Sequence, residues 1–251
     1  MRANFREFGS LKMEITLNRY SKIYKNLSRE MVLLQGTGCR LAKKCAFCDY
    51  YLDVSEDPYS VNSPVIDLIT GEFGVIDVIN SGSVNEIDRK TLEKIRKKVI
   101  EKGIHTIWFE SHWMYRNKLD DIRKFFSGIN VKFRTGVETF NGEIREKWGK
   151  KISKEITASQ IAEYFQGICL LFGIKGQTIE DVVNDIETAD KYFEYFNLNI
   201  FNENTKNEVL IDKDLIRKFL NDVYPKYYKK FDKKYGGKAE LLINNTDLGV
   251  G

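Results

Sequence analysis

From about residue 30 onward, the chain alternates short apolar runs with stretches of helical periodicity. A short apolar run bounded by glycine or polar residues is typical of a buried strand, and apolar residues three or four positions apart are typical of an amphipathic helix. The apolar runs predict six strands, at Met31–Gln35, Gly74–Ile79, His105–Glu110, Ile129–Val137, Ile168–Phe172 and Phe196–Phe201. The helical spacing predicts helices at Asp88–Lys102, Leu119–Phe126, Asn141–Trp148, Thr178–Phe193 and Asp212–Phe231.

This order of elements favours an α/β fold, a partial (β/α)6 TIM-like barrel of parallel strands with right-handed crossovers. We expect a single domain over residues 1–251, with a core at 31–205, an N-terminal extension at 1–30, and a C-terminal helix and tail at 206–251 that form a short cap. A short terminal strand is expected after residue 239. Ligands should bind at the carboxyl ends of the strands.

Composition narrows the class of protein. The chain has 251 residues, 40 Lys+Arg against 36 Asp+Glu and 42% hydrophobic residues, values that exclude disordered, collagen-like and mucin-like chains. The net charge of +4 makes nucleic acid an unlikely partner, and the basic run at 226–234 is interpreted as a solvated helix face. No apolar run approaches the roughly 18 residues of a membrane helix. The charged start at 1–8 lacks an apolar signal core, so we expect a cytoplasmic location.

Three of the four cysteines lie within ten residues, at Cys39, Cys45 and Cys48, and Cys169 lies far from them. This arrangement does not suit a disulfide framework, whereas clustered thiolates in a reducing compartment bind soft metal centres. Structural zinc needs a fourth ligand that the cluster lacks, so an iron–sulfur centre with one open iron is favoured over zinc or simple packing. Cys169 is interpreted as a small buried hydrophobe.

The segment from Cys39 to Cys48, placed after the first predicted strand, resembles the cluster loop of the radical S-adenosylmethionine (SAM) enzymes. The resemblance implies that the three cysteines hold a [4Fe–4S] cluster whose fourth iron is chelated by SAM, and that Phe47 lies against the adenine. The family usually has three residues between the first two cysteines, and this chain has five.

Further motifs follow in the family's order over residues 31–205. The segment Asn80–Ser83 is similar to the motif that receives the SAM amino group, which implies SAM contacts for Ser81, Gly82 and Ser83. Glu138, in Gly-Val-Glu, resembles the glutamate that contacts SAM, although it also suits a helix cap. The segment Leu171–Thr178 looks like the glycine motif of the fifth strand, with Lys175 where proline is common. Asn202 is a further candidate for SAM.

Within the family, the compact length and the ending from residue 241 look most like the queuine lyases. The resemblance implies reductive SAM cleavage to a 5′-deoxyadenosyl radical, cleavage of queuine to release preQ1, and an external electron donor such as flavodoxin or ferredoxin. A carboxylate suits the adjacent N1–H and 2-amino donors of a 7-deazaguanine. The candidate substrate residues are the carboxylates Glu110, Glu203 and Asp247, the polar groups of His112, Asn202 and Asn204, and the aromatic rings of Tyr50, Tyr51 and Trp113.

Two other functions stay open at this point. One is a radical SAM enzyme that acts on another nucleobase or on tRNA, and the other is a non-catalytic iron–sulfur or zinc module. His112 and Trp113 are also compatible with ordinary packing roles.

Overall fold

The computed structural model of the chain describes residues 17–206, 208–232 and 237–251. Residues 1–16 of the expected N-terminal extension lie outside this described part. Within it, the strands form one sheet in sequential order, β1 to β8, curled into a half-barrel. The strands are β1 (Tyr20–Ile23), β2 (Arg29–Leu34), β3 (Val75–Asn80), β4 (Thr106–Glu110), β5 (Asn130–Glu138), β6 (Gly167–Phe172), β7 (Tyr195–Ile200) and β8 (Ala239–Leu242).

Strand β1 pairs antiparallel with β2, and every later neighbouring pair is parallel. The crossovers carry the helices α1 (Pro58–Asp67), α2 (Arg89–Glu101), α3 (Leu119–Phe125), α4 (Gly142–Lys147), α5 (Ala158–Ala162), α6 (Ile179–Tyr192), α7 (Lys213–Lys218) and α8 (Tyr224–Tyr227). Side-chain caps fix several of the starts. For example, Asp88 accepts from the Thr91 amide, and Thr178 forms a capping box with Asp181.

The six predicted strands are all present, with ends shifted by one or two residues, and the predicted α/β half-barrel is confirmed. The short strand expected after residue 239 is β8. The sequence pattern missed β1 and the short helix α5. It also missed α1, whose interior contains Pro64 and whose apolar residues are poorly segregated. The last predicted helix is interrupted, because a π-helical turn at Phe219–Val223 precedes Pro225 and separates α7 from α8.

The two faces of the sheet differ in chemistry. The convex face is apolar and packs on the helices, with Phe109, Phe133 and Phe196 each fully buried in the main core. Because side chains alternate along a strand, the remaining positions point to the concave face. These positions include Asp77, Arg134 and other polar residues, so the half-barrel encloses a polar interior.

A ladder of buried ion pairs crosses this interior. Asp77 on β3 accepts from Arg29 Nε of β2 at 2.9 Å and from Arg134 Nη2 of β5 at 3.0 Å. Arg29 Nη2 also donates to Glu240 Oε2 of β8 at 3.0 Å. Burial opposes the charge on Arg29, but its carboxylate partners hold its pKa above the usual range. The ladder therefore joins β2 to β8 across the open side of the sheet.

The chain after β8 returns to the opposite edge of the sheet. The Gly251 amide donates to the Asn18 carbonyl at 2.8 Å, and Leu248 and Val250 pack with Met31 in a small apolar cluster. The tail therefore lines the side of the half-barrel between β8 and β1. No helix within the described residues has both the length and the apolar character needed to cross a membrane.

The ion-pair ladder predicts a large effect of Arg29→Met on stability. Removing the guanidinium leaves the buried Glu240 carboxylate without its cation, so we expect the free energy of unfolding to fall by about 3–5 kcal/mol. Urea denaturation measures this change. The matched control is Arg217→Met in the exposed pair with Asp214, which should shift stability by no more than about 0.5 kcal/mol. Equal effects of the two substitutions would contradict the structural role of the ladder.

Candidate functional site

The loops that follow β2 to β6 meet at the carboxyl edge of the sheet, where parallel α/β sheets bind ligands. The loop after β2 carries the three cysteines. Cys45 is buried, Cys39 and Cys48 are half-buried, and all three are free thiols. Burial raises the pKa of each thiol, that of Cys48 to about 11. The thiols therefore need a metal centre or a neighbouring cation to ionise.

The cysteine loop is held from two sides. On one side, the Ala46 amide donates to the Trp148 carbonyl at 2.9 Å, and Gly149 lies so close that an added Cβ would be 2.2 Å from the Lys44 carbonyl oxygen. On the other side, Lys206 Nζ donates to the Cys45 carbonyl at 2.6 Å. Asn204 Nδ2 likewise donates to the Phe47 carbonyl, at 2.5 Å. The cysteines are thus fixed by the loops after β5 and β7.

The turn after β3 contacts the start of the cysteine loop. The Gly36 amide donates to Ser81 Oγ at 3.0 Å. Glu86 joins the two segments, since its carboxylate accepts from the Ser83 amide and from the Arg40 amide, both at 2.7 Å. An added Cβ on Gly82 would lie 2.3 Å from Glu86 Oε2 and 2.8 Å from the Gly38 carbonyl oxygen, so a larger residue would displace the carboxylate and the loop backbone. The Ser81–Ser83 motif therefore lies beside the cysteine loop.

An ion pair occupies the end of β5. Lys150 Nζ donates to Glu138 Oε1 at 2.7 Å, and both side chains are largely buried. Glu138 has a φ of 68°, where the register of β5 against β6 shifts. A Cβ on Gly136 would lie 2.4 Å from Glu138 Oε1 and 2.7 Å from Lys150 Nζ. Glycine at this position is what allows the ion pair to fold back over the strand.

Lys150 is also close to the cysteine loop. Its Nζ lies 5.6 Å from the centre of the Phe47 ring, and the preceding Gly149 carbonyl lies 4.0 Å from Cys45 Sγ. The negative charges of Glu138 and of ionised Cys45 and Cys48 raise the pKa of Lys150 against the effect of burial. Lys150 is thus a buried ammonium next to the thiols.

His112 connects three of these loops through its own hydrogen bonds. Its amide donates to Ser83 Oγ at 3.0 Å, and its Nδ1 accepts from the Met114 amide at 3.1 Å. Nε2 must then carry the proton and donate to the Lys150 carbonyl, at 2.8 Å. Burial lowers the pKa of His112 to about 3, and the Lys150 charge adds to this effect. In this arrangement neither ring nitrogen is left for a substrate diol.

The polar interior below the loops contains Glu110. Its Oε1 accepts from Arg134 Nε at 3.2 Å, and Cys169 Sγ lies 3.8 Å from the same oxygen. Burial raises the pKa of Glu110 although Arg134 opposes the shift. Its second oxygen has no hydrogen bond to any described residue. The side chain is 33% exposed, so this oxygen faces open space inside the half-barrel.

Tyr50 faces the same space. Tyr50 is 60% exposed to solvent. The pKa of its phenol is nevertheless raised, first because the surrounding protein partly desolvates it and then because of the charges of Cys48 and Glu110. An exposed ring with these neighbours lines a concavity rather than the outer surface. Tyr51, its neighbour in the same short 3-10 helix, is half-buried.

A cluster of apolar side chains, which we call the apolar wall, packs against Phe47. It contains Leu171 and Ile174 of the motif after β6, together with Trp148 and Phe201. Gln177 holds this motif in shape, because its side chain accepts from the Ile174 amide at 3.1 Å and donates to the Leu171 carbonyl at 3.0 Å. The motif after the fifth predicted strand and the cysteine loop therefore share one surface.

Three other predicted side chains are held by contacts elsewhere, and a fourth, that of Glu203, is exposed. Trp113 is buried in the outer core against Tyr164. Asp247 caps the turn of the tail, where its Oδ2 accepts from two backbone amides. Asn202 Nδ2 donates to the carbonyls of Ile200 and Ile243. Glu203 is exposed on the loop after β7.

Several residues of the site were not singled out from the sequence. Glu86 has a local signal, since Ser83 and Glu86 form the S-x-x-E pattern of a capping box. Asp77 and Arg134 also have a signal in the sequence, because a charged residue within an apolar strand indicates that one face of the sheet is polar. Lys150 has none, because only the fold brings it to Glu138.

This chain has a curled, mostly parallel sheet with three free cysteines in the loop after β2. That combination is typical of the radical SAM fold. The structure of Streptococcus suis SuiB bound to S-adenosylmethionine has this fold too, with a TM-score of 0.55, 13% identity and coverage of 87% of this chain and 51% of that one. The queuine lyase from Clostridium spiroforme, bound to SAM and queuine, is far more similar. It has a TM-score of 0.85 and 36% identity, and the match covers 94% of this chain and 100% of that chain. The chain belongs to the queuine lyase family of radical SAM enzymes.

Curated sequences give more distant matches. The heme chaperone HemW of Buchnera aphidicola (subsp. Acyrthosiphon pisum, strain APS) is 25% identical over 175 residues, which are 59% of this chain and 44% of that protein. An uncharacterised protein of Methanocaldococcus jannaschii is 28% identical over 173 residues, with the same coverage. The chain spans between 44% and 64% of the length of the curated relatives it matches. No protein-family profile matches the chain.

The buried neutral His112 predicts a pH dependence of stability. Its pKa is about 3 in the folded chain and about 6.5 when unfolded, so between these values the unfolded chain binds more protons. Stability from this residue is therefore complete above pH 7 and is lost as pH falls from 6.5 toward 3, at up to about 1.4 kcal/mol per pH unit. Urea denaturation between pH 4.5 and 7.5 measures it.

The control for this prediction is His112→Gln, which retains a donor near the Nε2 position but does not titrate in this range. The difference in unfolding free energy between the wild type and this variant should grow as pH rises from 4.5 to 7. Two curves that stay parallel over the whole range would show that His112 is not held neutral.

Proposed function

We propose that the chain is a radical SAM queuine lyase that cleaves queuine and releases preQ1. The observation that carries this proposal is the likeness, over nearly the whole of both chains, to a queuine lyase bound to SAM and queuine. The site agrees in its chemistry, since three free thiols, a buried ion pair and a polar cavity with a carboxylate lie along one edge of the sheet. A cytoplasmic location belongs to the same proposal, because free thiols suit a reducing compartment. A single domain belongs to it too, because the strands of the described residues form one sheet.

In this proposal, Cys39, Cys45 and Cys48 hold the [4Fe–4S] cluster. The donor set fits, because three thiolates leave one iron open and the fourth cysteine, Cys169, lies on β6 and not in the loop. Among the described residues, no group of three or more Cys, His, Asp and Glu side chains is placed to hold a single metal ion. When bound, the cluster and SAM supply the one-electron chemistry that starts the reaction. The protein's part is to position both and to exclude water.

The turn after β3 is the proposed site for the SAM amino group. Two buried oxygens at the ends of β2 and β3, Gln35 Oε1 and Asn80 Oδ1, have no hydrogen-bond partner among the described residues. A buried acceptor without a donor is costly, and an amino group beside Ser81, Gly82 and Ser83 would supply the missing donor. The turn is packed against the cysteine loop, as a chelate of the open iron requires.

The Glu138 side chain is proposed to contact SAM, and Phe47 is proposed to pack on the adenine of SAM. Lys150 fixes the direction of the Glu138 carboxylate by the 2.7 Å ion pair. The apolar wall of Leu171 and Ile174 beside Phe47 suits a flat heterocycle. Asn202 remains a candidate for a SAM contact through its side-chain oxygen Oδ1, because its Nδ2 already donates to two backbone carbonyls.

Glu110 is the proposed residue that recognises the deazaguanine. Its free oxygen faces the open interior, and a carboxylate accepts the paired N1–H and 2-amino donors. Tyr50 faces the same space and is proposed to stack on the ring or to bond its substituents. Arg134 holds Glu110 in place from the ladder below. Most of the other side chains predicted to contact the substrate have structural partners or lie elsewhere, so the proposal depends less on them than on Glu110 and Tyr50. These residues are Tyr51, His112, Trp113, Glu203, Asn204 and Asp247.

The proposed reaction is tested with anaerobically reconstituted protein, SAM, dithionite and queuine. We expect 5′-deoxyadenosine and preQ1 to form together by mass spectrometry, and Cys45→Ala to abolish both. The matched control is Cys169→Ala, which should keep the iron and sulfide content of the wild type because Cys169 lies on β6 and not in the loop that carries the other three cysteines.

Each other result of this assay has a distinct meaning. Formation of 5′-deoxyadenosine without preQ1 would retain the family and reject queuine as the substrate, and tRNA or another base would be tested next. A fully loaded cluster without any SAM cleavage would reject the enzymatic proposal.

A substitution of Glu110 tests the proposed recognition of the base. Glu110→Gln keeps the shape but replaces one acceptor by a donor, so we expect the KM for queuine to rise about 10- to 100-fold, the worth of hydrogen bonds to a charged group. The Kd for SAM serves as the internal control and should stay within twofold. An unchanged KM for queuine would exclude Glu110 as the residue that recognises the base.

A further inference from the structure

Two asparagines of β7, Asn197 and Asn199, face the interior of the half-barrel, and the contacts proposed so far do not include them. We propose that the side-chain amide of Asn197 binds the N3 and N9–H edge of the deazaguanine, and that it thereby selects the free base over forms substituted at N9. This inference rests on the proposed function. It adds a specificity-determining residue to the recognition that Glu110 provides.

The strand registers place Asn197 on the concave face of the sheet. Its two neighbours along β7 are buried in the main apolar core on the convex face. Asn197 itself pairs in register with Cys169 of β6 and with Glu240 of β8. Both of these point inwards, since Cys169 Sγ lies 3.8 Å from Glu110 Oε1 and Glu240 belongs to the ion-pair ladder. Residues in register on neighbouring strands share a face, so the Asn197 amide points inwards too.

The Asn197 amide has no partner among the described residues. The residue is 2% exposed, and its Oδ1 is buried without a hydrogen bond to any of them. Its Nδ2 makes no such bond either. A buried amide whose donor and acceptor are both unpaired is unfavourable for folding. Apolar side chains are accepted on this face, as Leu171 and Leu242 show two positions nearer the loops, so the unpaired amide indicates a bound group.

Asn199 extends this polar lining toward the loops. It lies two residues further along β7, faces inwards like Asn197 and is half-buried. Its side chain also makes no hydrogen bond with another described residue. The two amides therefore form a strip that leads from the level of the ion-pair ladder to the carboxyl edge of the sheet, where the proposed SAM site lies.

The free base offers a donor and an acceptor that match one amide. The five-membered ring of a 7-deazaguanine has a single nitrogen, N9, so the proton of the free base stays on that atom and N9–H is a fixed donor. N3 lies beside it across C4 and is an acceptor. In the proposed contact, Asn197 Oδ1 accepts from N9–H and Nδ2 donates to N3, the bidentate pairing that suits an asparagine amide.

The two proposed contacts together orient the base. Glu110 on β4 accepts from N1–H and the 2-amino group, and Asn197 lies three strands further along the sheet, with Cys169 between them. The groups that they bind belong to two adjacent edges of the heterocycle. The third edge carries C7 and its aminomethyl-cyclopentenediol arm, and it is then directed away from the sheet and toward the loops. The bond that breaks in the proposed reaction lies on this arm.

The contact at N9 makes the site selective. N9 is the atom that bears the ribose in the nucleoside and in tRNA. A substituent there removes the donor, brings bulk against β7 and leaves the buried Asn197 Oδ1 unpaired. A site built around a hydrogen bond strongly rejects an analogue that lacks the bonding group. We therefore expect the free base to bind and its nucleoside and tRNA forms to be excluded.

The experiment measures the Kd values of queuine and of 9-methylqueuine by isothermal titration calorimetry, on reconstituted holoenzyme with SAM and without reductant. For the wild type, we expect 9-methylqueuine to bind about 100-fold more weakly than queuine. Asn197→Ala removes the amide and leaves space for the methyl group. In this variant the Kd for queuine should rise about 10- to 100-fold, and the ratio of the two Kd values should fall by about tenfold or more.

Two further variants separate binding from a structural role. Asn184→Ala, at an exposed position of α6, is the matched control and should leave both Kd values within about twofold of the wild type. Asn197→Leu fills the space of the unpaired amide with apolar atoms. We expect its midpoint in urea to equal or exceed that of the wild type, although it loses affinity for queuine as Asn197→Ala does.

Three results would overturn the proposal. They are a wild type that binds both bases equally well, an Asn197→Ala variant that keeps the wild-type ratio, and an Asn197→Leu variant with a lower midpoint in urea and unchanged affinity for queuine. The last result would assign Asn197 a structural role only.

The proposed function is judged separately, by turnover. A wild type that neither binds nor cleaves queuine would reject that function and this inference with it. Cleavage of queuine together with a Kd ratio that does not depend on Asn197 would reject only the role of Asn197.

Discussion

The ion pair between Lys150 and Glu138 is the interaction on which the arrangement of the site depends. It joins the end of β5 to the turn that supports the cysteine loop. Gly136 leaves the space for it, and the left-handed backbone of Glu138 directs the carboxylate toward Lys150. His112 then ties the Lys150 carbonyl to the turn after β3. One buried pair thus sets the relative positions of three strand ends.

The ion-pair ladder in the interior has a related role at a lower level of the half-barrel. Arg29, Asp77 and Arg134 take up the space that apolar side chains fill in a closed barrel. The pairs Asp77–Arg134 and Arg29–Glu240 connect strands that are not neighbours in the sheet. Because Arg134 also bonds Glu110, the ladder supports a carboxylate that faces the cavity. Stability and the proposed recognition of the base are therefore coupled through the same guanidinium.

The sequence was sufficient to predict the half-barrel, because the six apolar runs and the helix caps are local signals that tertiary packing reinforces. It also placed the cysteine loop, the Asn80–Ser83 turn and Glu138 at one edge, since parallel strands end together. It did not predict Lys150, because an isolated lysine between two loops has no periodic or motif signal. Nor did it show that both ring nitrogens of His112 are bonded and that Asp247 caps a turn, since these contacts depend on distant backbone positions.

The central claim is that the three cysteines and the strand ends around Glu138 form one site for an iron–sulfur cluster and SAM. Electron paramagnetic resonance of the anaerobically reconstituted, dithionite-reduced protein tests it most directly. The account predicts the signal of a reduced [4Fe–4S] cluster that changes on addition of SAM, with a smaller change in Glu138→Gln. A protein that binds zinc instead and gives no such signal, or a cluster signal that SAM leaves unaltered, would contradict it.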